Sequence, residues 1–227
     1  MEKERLFTNR QLIRLLWPLV IEQALAILVG MSDTVMVSSV GEAAISGVSL
    51  VDMINNLIIN IFAALATGGA VVTSQFLGAR KPEQASRSAG QLVTLSALLG
   101  VAVAAFCLLL RAPMLRLFFG SIDGLSYPFL ALYNAGAAIF RSTGNSAVSM
   151  KVSVFMNLIN IGGNALCVHV LRMGTAGVAV PTLVSRALGA VIILYLAAAH
   201  HDNPARVTWD GVRHLQPTMA RNILYIG

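Results

Sequence analysis

LIRLLWPLVIEQALAILVGMSDTVMVSSV, residues 12–40, decides the fold class. Its charged side chains are Arg14, Glu22 and Asp33, and apart from Gln23 the rest is apolar or small. About 20 such residues form a helix that crosses the hydrocarbon of a bilayer. This run exceeds that length, so it tilts or extends into the interface. Five further stretches follow at 45–77, 90–110, 126–140, 152–170 and 177–199. The fourth of the six is short: at 1.5 Å per residue it would rise about 22 Å, against about 30 Å of hydrocarbon.

Composition agrees with that pattern. Of 227 residues, 56% are hydrophobic and 11% charged, with a mean hydropathy of +0.75. An ordinary soluble domain carries about 25% charged residues, and one soluble core of this size could not hide so much apolar surface. The predicted fold class is therefore all-α, a polytopic membrane helix bundle whose main partner is lipid.

A net charge of +6 would suggest nucleic acid in a soluble protein. Here the basic residues sit between the apolar runs, so they read as orientation signals and no nucleic-acid partner is expected. With the amino terminus inside, one side receives Lys3, Arg5, Arg10, Arg14, Arg80, Lys81, Arg87, Arg141, Lys151, Arg206, Arg213 and Arg221. The other receives Arg111, Arg116 and Arg172. That bias predicts six crossings of the cell membrane with both termini cytoplasmic, because five would place the last basic clusters on the wrong side. The start, MEKER, lacks a following A-x-A cleavage site, so the first run is expected to remain as a helix. Cys107 and Cys167 lie in apolar runs without metal-ligand spacing and read as packing residues. Residues 1–199 form the expected lobe, and 200–227 read as a cytoplasmic linker with the truncated start of a seventh helix.

Three carboxylates fall within the membrane runs: Glu22, Asp33 and Asp52. Each costs at least about 2.5–3.5 kcal/mol at the membrane centre, so each needs a reason to be there. Glu22 and Asp33 are eleven residues apart, about three turns, and so share a face. Either could hold a proton or Na⁺; the bland alternative is a carboxylate paired by a neighbouring helix near the interface. Asp52 lies in the first turns of the second run, close to water. In the fifth run Asn160 and Asn164 are spaced i, i+4 and accompany Asn157. Side-chain amides in lipid glue helices at about 0.6 kcal/mol each, yet three beside a carboxylate also suit an oxygen-lined cavity. Pro181 in the sixth run lacks an N–H, which frees the Gly177 carbonyl and disturbs that of Val178, with the Thr182 hydroxyl adjacent. A plain kink near a helix start explains the same proline. There is no Walker sequence, no Ser/His/Asp set and no His-Glu-x-x-His, so neither an ATP-driven pump nor an enzyme is indicated.

PLVIEQ at 18–23, SDTVM at 32–36, Gly41 and SQFLGAR at 74–80 resemble the first two helices of MATE multidrug and toxin extrusion transporters. So do YPFLALYN at 127–134, FRSTGN at 140–145 and the asparagine-rich fifth run. The resemblance implies one six-helix lobe of a two-lobe fold, its fourth helix shortened. It also implies antiport of small organic cations against Na⁺ or H⁺, with no other cofactor. The implied cation site takes the Asp33 carboxylate, the Asn160 and Asn164 amides, the Val178 carbonyl and the Thr182 hydroxyl, with Glu22 as a possible addition. The substrate cleft between lobes would need the missing carboxyl-terminal lobe or a second copy. Around Asp123 to Leu125 the family would carry a dozen or more additional residues. The rival readings are a lipid-linked saccharide flippase of the same superfamily, for which Arg186 is the candidate cationic side chain, and an inactive fragment or non-transporting membrane subunit.

Overall fold

The computed structural model describes residues 9–38, 42–109, 124–173, 176–199 and 203–227. Among these, the regular structure is entirely helical. The long helices are α1 (Asn9–Ser38), α2 (Glu42–Gly78), α3 (Pro82–Leu109), α4 (Tyr127–Ser142), α5 (Ser146–Ala165) and α6 (Ala176–Ala199). A π-helical turn, Leu166–Val170, prolongs α5, and two short helices follow, α7 (Trp209–Arg213) and α8 (Pro217–Ile226). Residues 110–123 lie outside the described residues, and they end where the resemblance places a missing stretch, between Asp123 and Leu125.

Close contacts fix how the helices run. Thr73 bonds Ser88 at 3.1 Å, while a β-carbon on Gly69 would meet Leu92, so α2 and α3 are antiparallel. The turn between them puts Arg80 at φ 57°, with Lys81 N–H donating to the Phe76 carbonyl at 2.9 Å. Gly100 lies against Pro128 and Gly124 against Cys107, which makes α3 and α4 antiparallel. The turn from α4 to α5 uses Gly144 at φ +77°, a conformation glycine adopts without a β-carbon penalty. Gly163 meets Pro181 and Gly189 meets Met156, so α5 and α6 are antiparallel. Leu15 approaches Gly144, and Glu22 bonds Ser149, in the same order along both chains. Hence α1 runs parallel to α5.

These pairings gather the basic turns at one end. The start of α1, the α2–α3 turn, the α4–α5 turn and the segment after α6 all lie there. Ser86 donates to the Arg206 carbonyl, and Arg206 Nε donates to the Ala198 carbonyl at 2.6 Å. Val207 N–H reaches the Ala197 carbonyl, and Thr94 Oγ1 donates to the Val212 carbonyl at 2.8 Å. Residues 203–213 are thus strapped across α3 and α6. Beyond them α8 rests on α2, its Ile223 carbonyl packed against Gly68.

Among the described residues, five spans, in α1, α2, α3, α5 and α6, are long and apolar enough to cross a membrane. The remaining long helix, α4, has 16 residues and rises only about 24 Å. It is nonetheless the hub of the bundle, packed against α2, α3, α5 and α6. Ala131, Ala135, Gly136, Ala137 and Ala138 keep it slim enough to be surrounded, and Ile193 of α6 closes directly onto Gly136. α1 is the opposite case: Leu16, Val20, Ile27 and Met31 lie exposed along it.

Candidate cation site

Four of the residues predicted for the site, Asn160, Asn164, Val178 and Thr182, meet where α5 crosses α6. Pro181 enters that crossing because Gly163 offers no side chain: a β-carbon there would stand 2.7 Å from Pro181 Cβ. The approach brings Asn160 to Thr182, with Asn160 Nδ2 donating to Thr182 Oγ1 at 3.0 Å. Thr182 Oγ1 in turn donates to the Val178 carbonyl at 2.7 Å, across the turn that Pro181 disturbs. On the other side Asn164 Nδ2 donates to Asn160 Oδ1 at 3.3 Å. Asn160, Asn164, Thr182 and Val178 therefore form one hydrogen-bonded chain, with Asn160 and Asn164 buried. The π-helical turn begins two residues after Asn164, and Gly177 lets the start of α6 sit against its Cys167 backbone. Such turns redirect carbonyls that a regular helix would consume.

Chemically this is a file of neutral oxygens: two amides, a hydroxyl and a carbonyl. It suits a hard cation once an anionic oxygen joins it. The side chain of Asp33 lies outside the described residues, as does that of Asp52, although both belong to helical backbone. The register of α1 against α5 still places position 33. Glu22 faces Ser149, and eleven residues further along each of the parallel helices come Asp33 and Asn160.

Glu22 stands apart from that chain. Its Oε1 accepts from Tyr133 Oη at 3.0 Å and its Oε2 from Ser149 Oγ at 3.3 Å. It makes no hydrogen bond to Asn160, Asn164 or Thr182, and sits about 16 Å from them along the seam by helical rise. Sequence reasoning missed Tyr133 and the serines. Ser146, Ser149, Ser153, Asn157, Asn160 and Asn164 are all buried and form one polar stripe down α5. Their spacing of three and four is the signal that could have found them. Among the described residues no three His, Cys, Asp or Glu side chains gather as a transition-metal site would require.

Comparison with known proteins now adds the family. The MatE family model matches residues 18–166. The chain belongs to the MATE family. Over 95% of its length it is 30% identical to the uncharacterized transporter YisQ of Bacillus subtilis (strain 168), covering 50% of that protein. It is 26% identical to the probable multidrug resistance protein NorM of Thermotoga maritima, over 83% of this chain and 44% of that one. The chain spans about half the length of the curated relatives it matches. A solved MATE transporter of the MOP superfamily, in an outward-facing conformation, superposes with a TM-score of 0.86 at 23% identity, over 94% of this chain and 50% of that chain. MATE proteins are transporters, not enzymes, and the bundle described above is one lobe's worth of that fold.

Proposed function

We propose that this chain is the amino-terminal lobe of a secondary antiporter that expels organic cations in exchange for Na⁺ or H⁺. The observation that carries the reading is the hydrogen-bonded chain of Asn160, Asn164, Thr182 and Val178 between α5 and α6, level with position 33 of α1. A carboxylate with four neutral oxygens would bind the coupling ion. That ion would favour whichever packing of α1 closes the shell, and it can shift the equilibrium only by its differential affinity for the two packings. The substrate cleft would then form against a second lobe or a second copy, in the plasma membrane, with the basic end cytoplasmic. The name of the Thermotoga maritima relative supports multidrug-type efflux. A flippase has less support, since Arg186, its candidate cation, donates to Ser126 within the lobe.

The test is Asp33→Asn in the purified chain. It is expected to abolish Na⁺-dependent thermal stabilisation, which at a hundredfold excess over Kd amounts to about 2.7 kcal/mol. Where H⁺ is the coupling ion, it should instead remove one titrating carboxyl from an infrared pH series. Asp52→Asn should leave the Na⁺ response unchanged, and the carboxyl it removes should be a different component of the infrared series. A protein whose Na⁺ response and carboxyl count both survive Asp33→Asn would show the coupling site to lie elsewhere.

A further inference from the structure

The strap of residues 203–213 lies on one particular face of α3. Gly90 and Thr94, a turn apart, hold it there: a β-carbon on Gly90 would stand 2.5 Å from the Gly211 carbonyl carbon, and Thr94 Oγ1 donates to the Val212 carbonyl at 2.8 Å. The same column continues along α3 as Leu98, Val101 and Leu108, all exposed. This exposed column is apolar and faces lipid, unlike the exposed side of α2, which carries Asn56, Asn60 and Thr67. Between Arg87 and its end at Leu109, α3 has no charged residue. That interval rises about 33 Å, the thickness of the hydrocarbon, so α7 lies at the basic boundary of the bilayer. On α7 itself Gly211 faces α3, since a β-carbon there would meet Arg87 Cα at 3.3 Å. The residues two before and two after it therefore point away from α3. These are Trp209 and Arg213, a turn apart and both exposed, Trp209 at 75%. Arg87 is exposed as well, and neither arginine has a hydrogen-bond or ion-pair partner among the described residues. Of the carboxylates nearby, Asp210 pairs with His214 at 3.5 Å, and Glu83 stands exposed one turn before Arg87.

We propose that Arg87 and Arg213 form a headgroup site for an anionic phospholipid of the leaflet at the basic end, with Trp209 seated where headgroups meet acyl chains. Tryptophan favours that boundary, because its ring is apolar while its N–H needs a polar partner. The two guanidiniums stand at the level of the lipid phosphates, whose oxygens they can hold bidentately. A zwitterionic headgroup would bring its own ammonium up to the same cations, so a headgroup of net negative charge fits the site. The site is also preformed. Thr94 and Gly90 fix α7 from the side of α3, and the Thr208 hydroxyl accepts from Gly211 N–H at 3.4 Å. Lipid binding here depends on the lobe's place in the bilayer, and not on the cation site or on antiport.

The chain has two tryptophans, so Trp17→Phe leaves Trp209 as the sole reporter. In phosphatidylcholine vesicles its fluorescence should be quenched by lipids brominated near the top of the acyl chain. Brominated phosphatidylglycerol should quench it more than brominated phosphatidylcholine at equal mole fraction. Arg87→Gln and Arg213→Gln should each lower that preference about fivefold, the effect of one cation at an anionic surface. Arg172→Gln, at the opposite end of the bundle, should leave it unchanged, and soluble glycerol phosphate should not relieve the quenching. Should Trp17→Phe fail to fold, the difference between the unaltered chain and Trp209→Phe isolates the same reporter. Equal quenching by the two lipids, or a preference that survives both arginine substitutions, would overturn the assignment. So would an equal loss in Arg172→Gln, which means a diffuse surface effect, or relief by glycerol phosphate, which means a site for a soluble anion.

Discussion

Thr182 is the relay in the proposed cation site, because one hydroxyl accepts from Asn160 and donates to the Val178 carbonyl. Thr182→Val keeps the shape and deletes both bonds, leaving a buried amide donor without its acceptor. The expected loss is about 1–3 kcal/mol of stability together with a weakened Na⁺ response, while Thr182→Ser should keep both. Thermal melts of the two variants with and without Na⁺ check this; a full response in Thr182→Val would remove the hydroxyl from the shell. Thr182, Asn160 and Asn164 were legible in the sequence because amides at i, i+4 and a proline inside an apolar run are anomalies on their own helices. Tyr133 and Ser149 were not. A serine or tyrosine in an apolar run is unremarkable until the fold shows that a carboxylate on another helix faces it. Contact between α1, α4 and α5 is a tertiary fact that no local pattern carries.

At the scale of elements, adjacent glycines make opposite predictions. A β-carbon on Gly163 would strike Pro181 at 2.7 Å, whereas one on Gly162 would meet nothing within 4 Å. Gly163→Ala must therefore push α5 and α6 apart, at a cost of about 1–3 kcal/mol for overpacking. It should also part Asn160 from Thr182. Gly162→Ala should be neutral or stabilising by up to about 1 kcal/mol through helix propensity. Denaturation midpoints of the two single variants decide it, and equal effects would mean that the α5–α6 crossing is looser than described. The six helical runs were readable from hydropathy, with the fourth rightly marked as short. What hydropathy could not reveal is that α4 sits at the centre. A window average measures fitness for lipid, while centrality depends on Gly136 and the alanines around it being small enough for four neighbours to approach.

For the whole molecule, the contacts put the basic turns at one end, which the positive-inside bias makes the expected cytoplasmic end. In a background of Cys107→Ala and Cys167→Ala, Arg80→Cys and Arg206→Cys should resist an impermeant thiol reagent in intact cells, and Met173→Cys should react. Labelling of both Arg80→Cys and Arg206→Cys with protection of Met173→Cys would invert the orientation; labelling of only one of them would contradict the shared end. Parallel α1 and α5 have a further consequence, for inheritance. The stretch between Glu22 and Asp33 and the stretch between Ser149 and Asn160 are of equal length. A single codon gained or lost in either would rotate everything beyond it by about 100° and shift it by about 1.5 Å. Positions 22 and 33 could then no longer both keep their register with α5. Descendants of this gene can exchange residues freely along the outer face of α1, but these two intervals can change length only together.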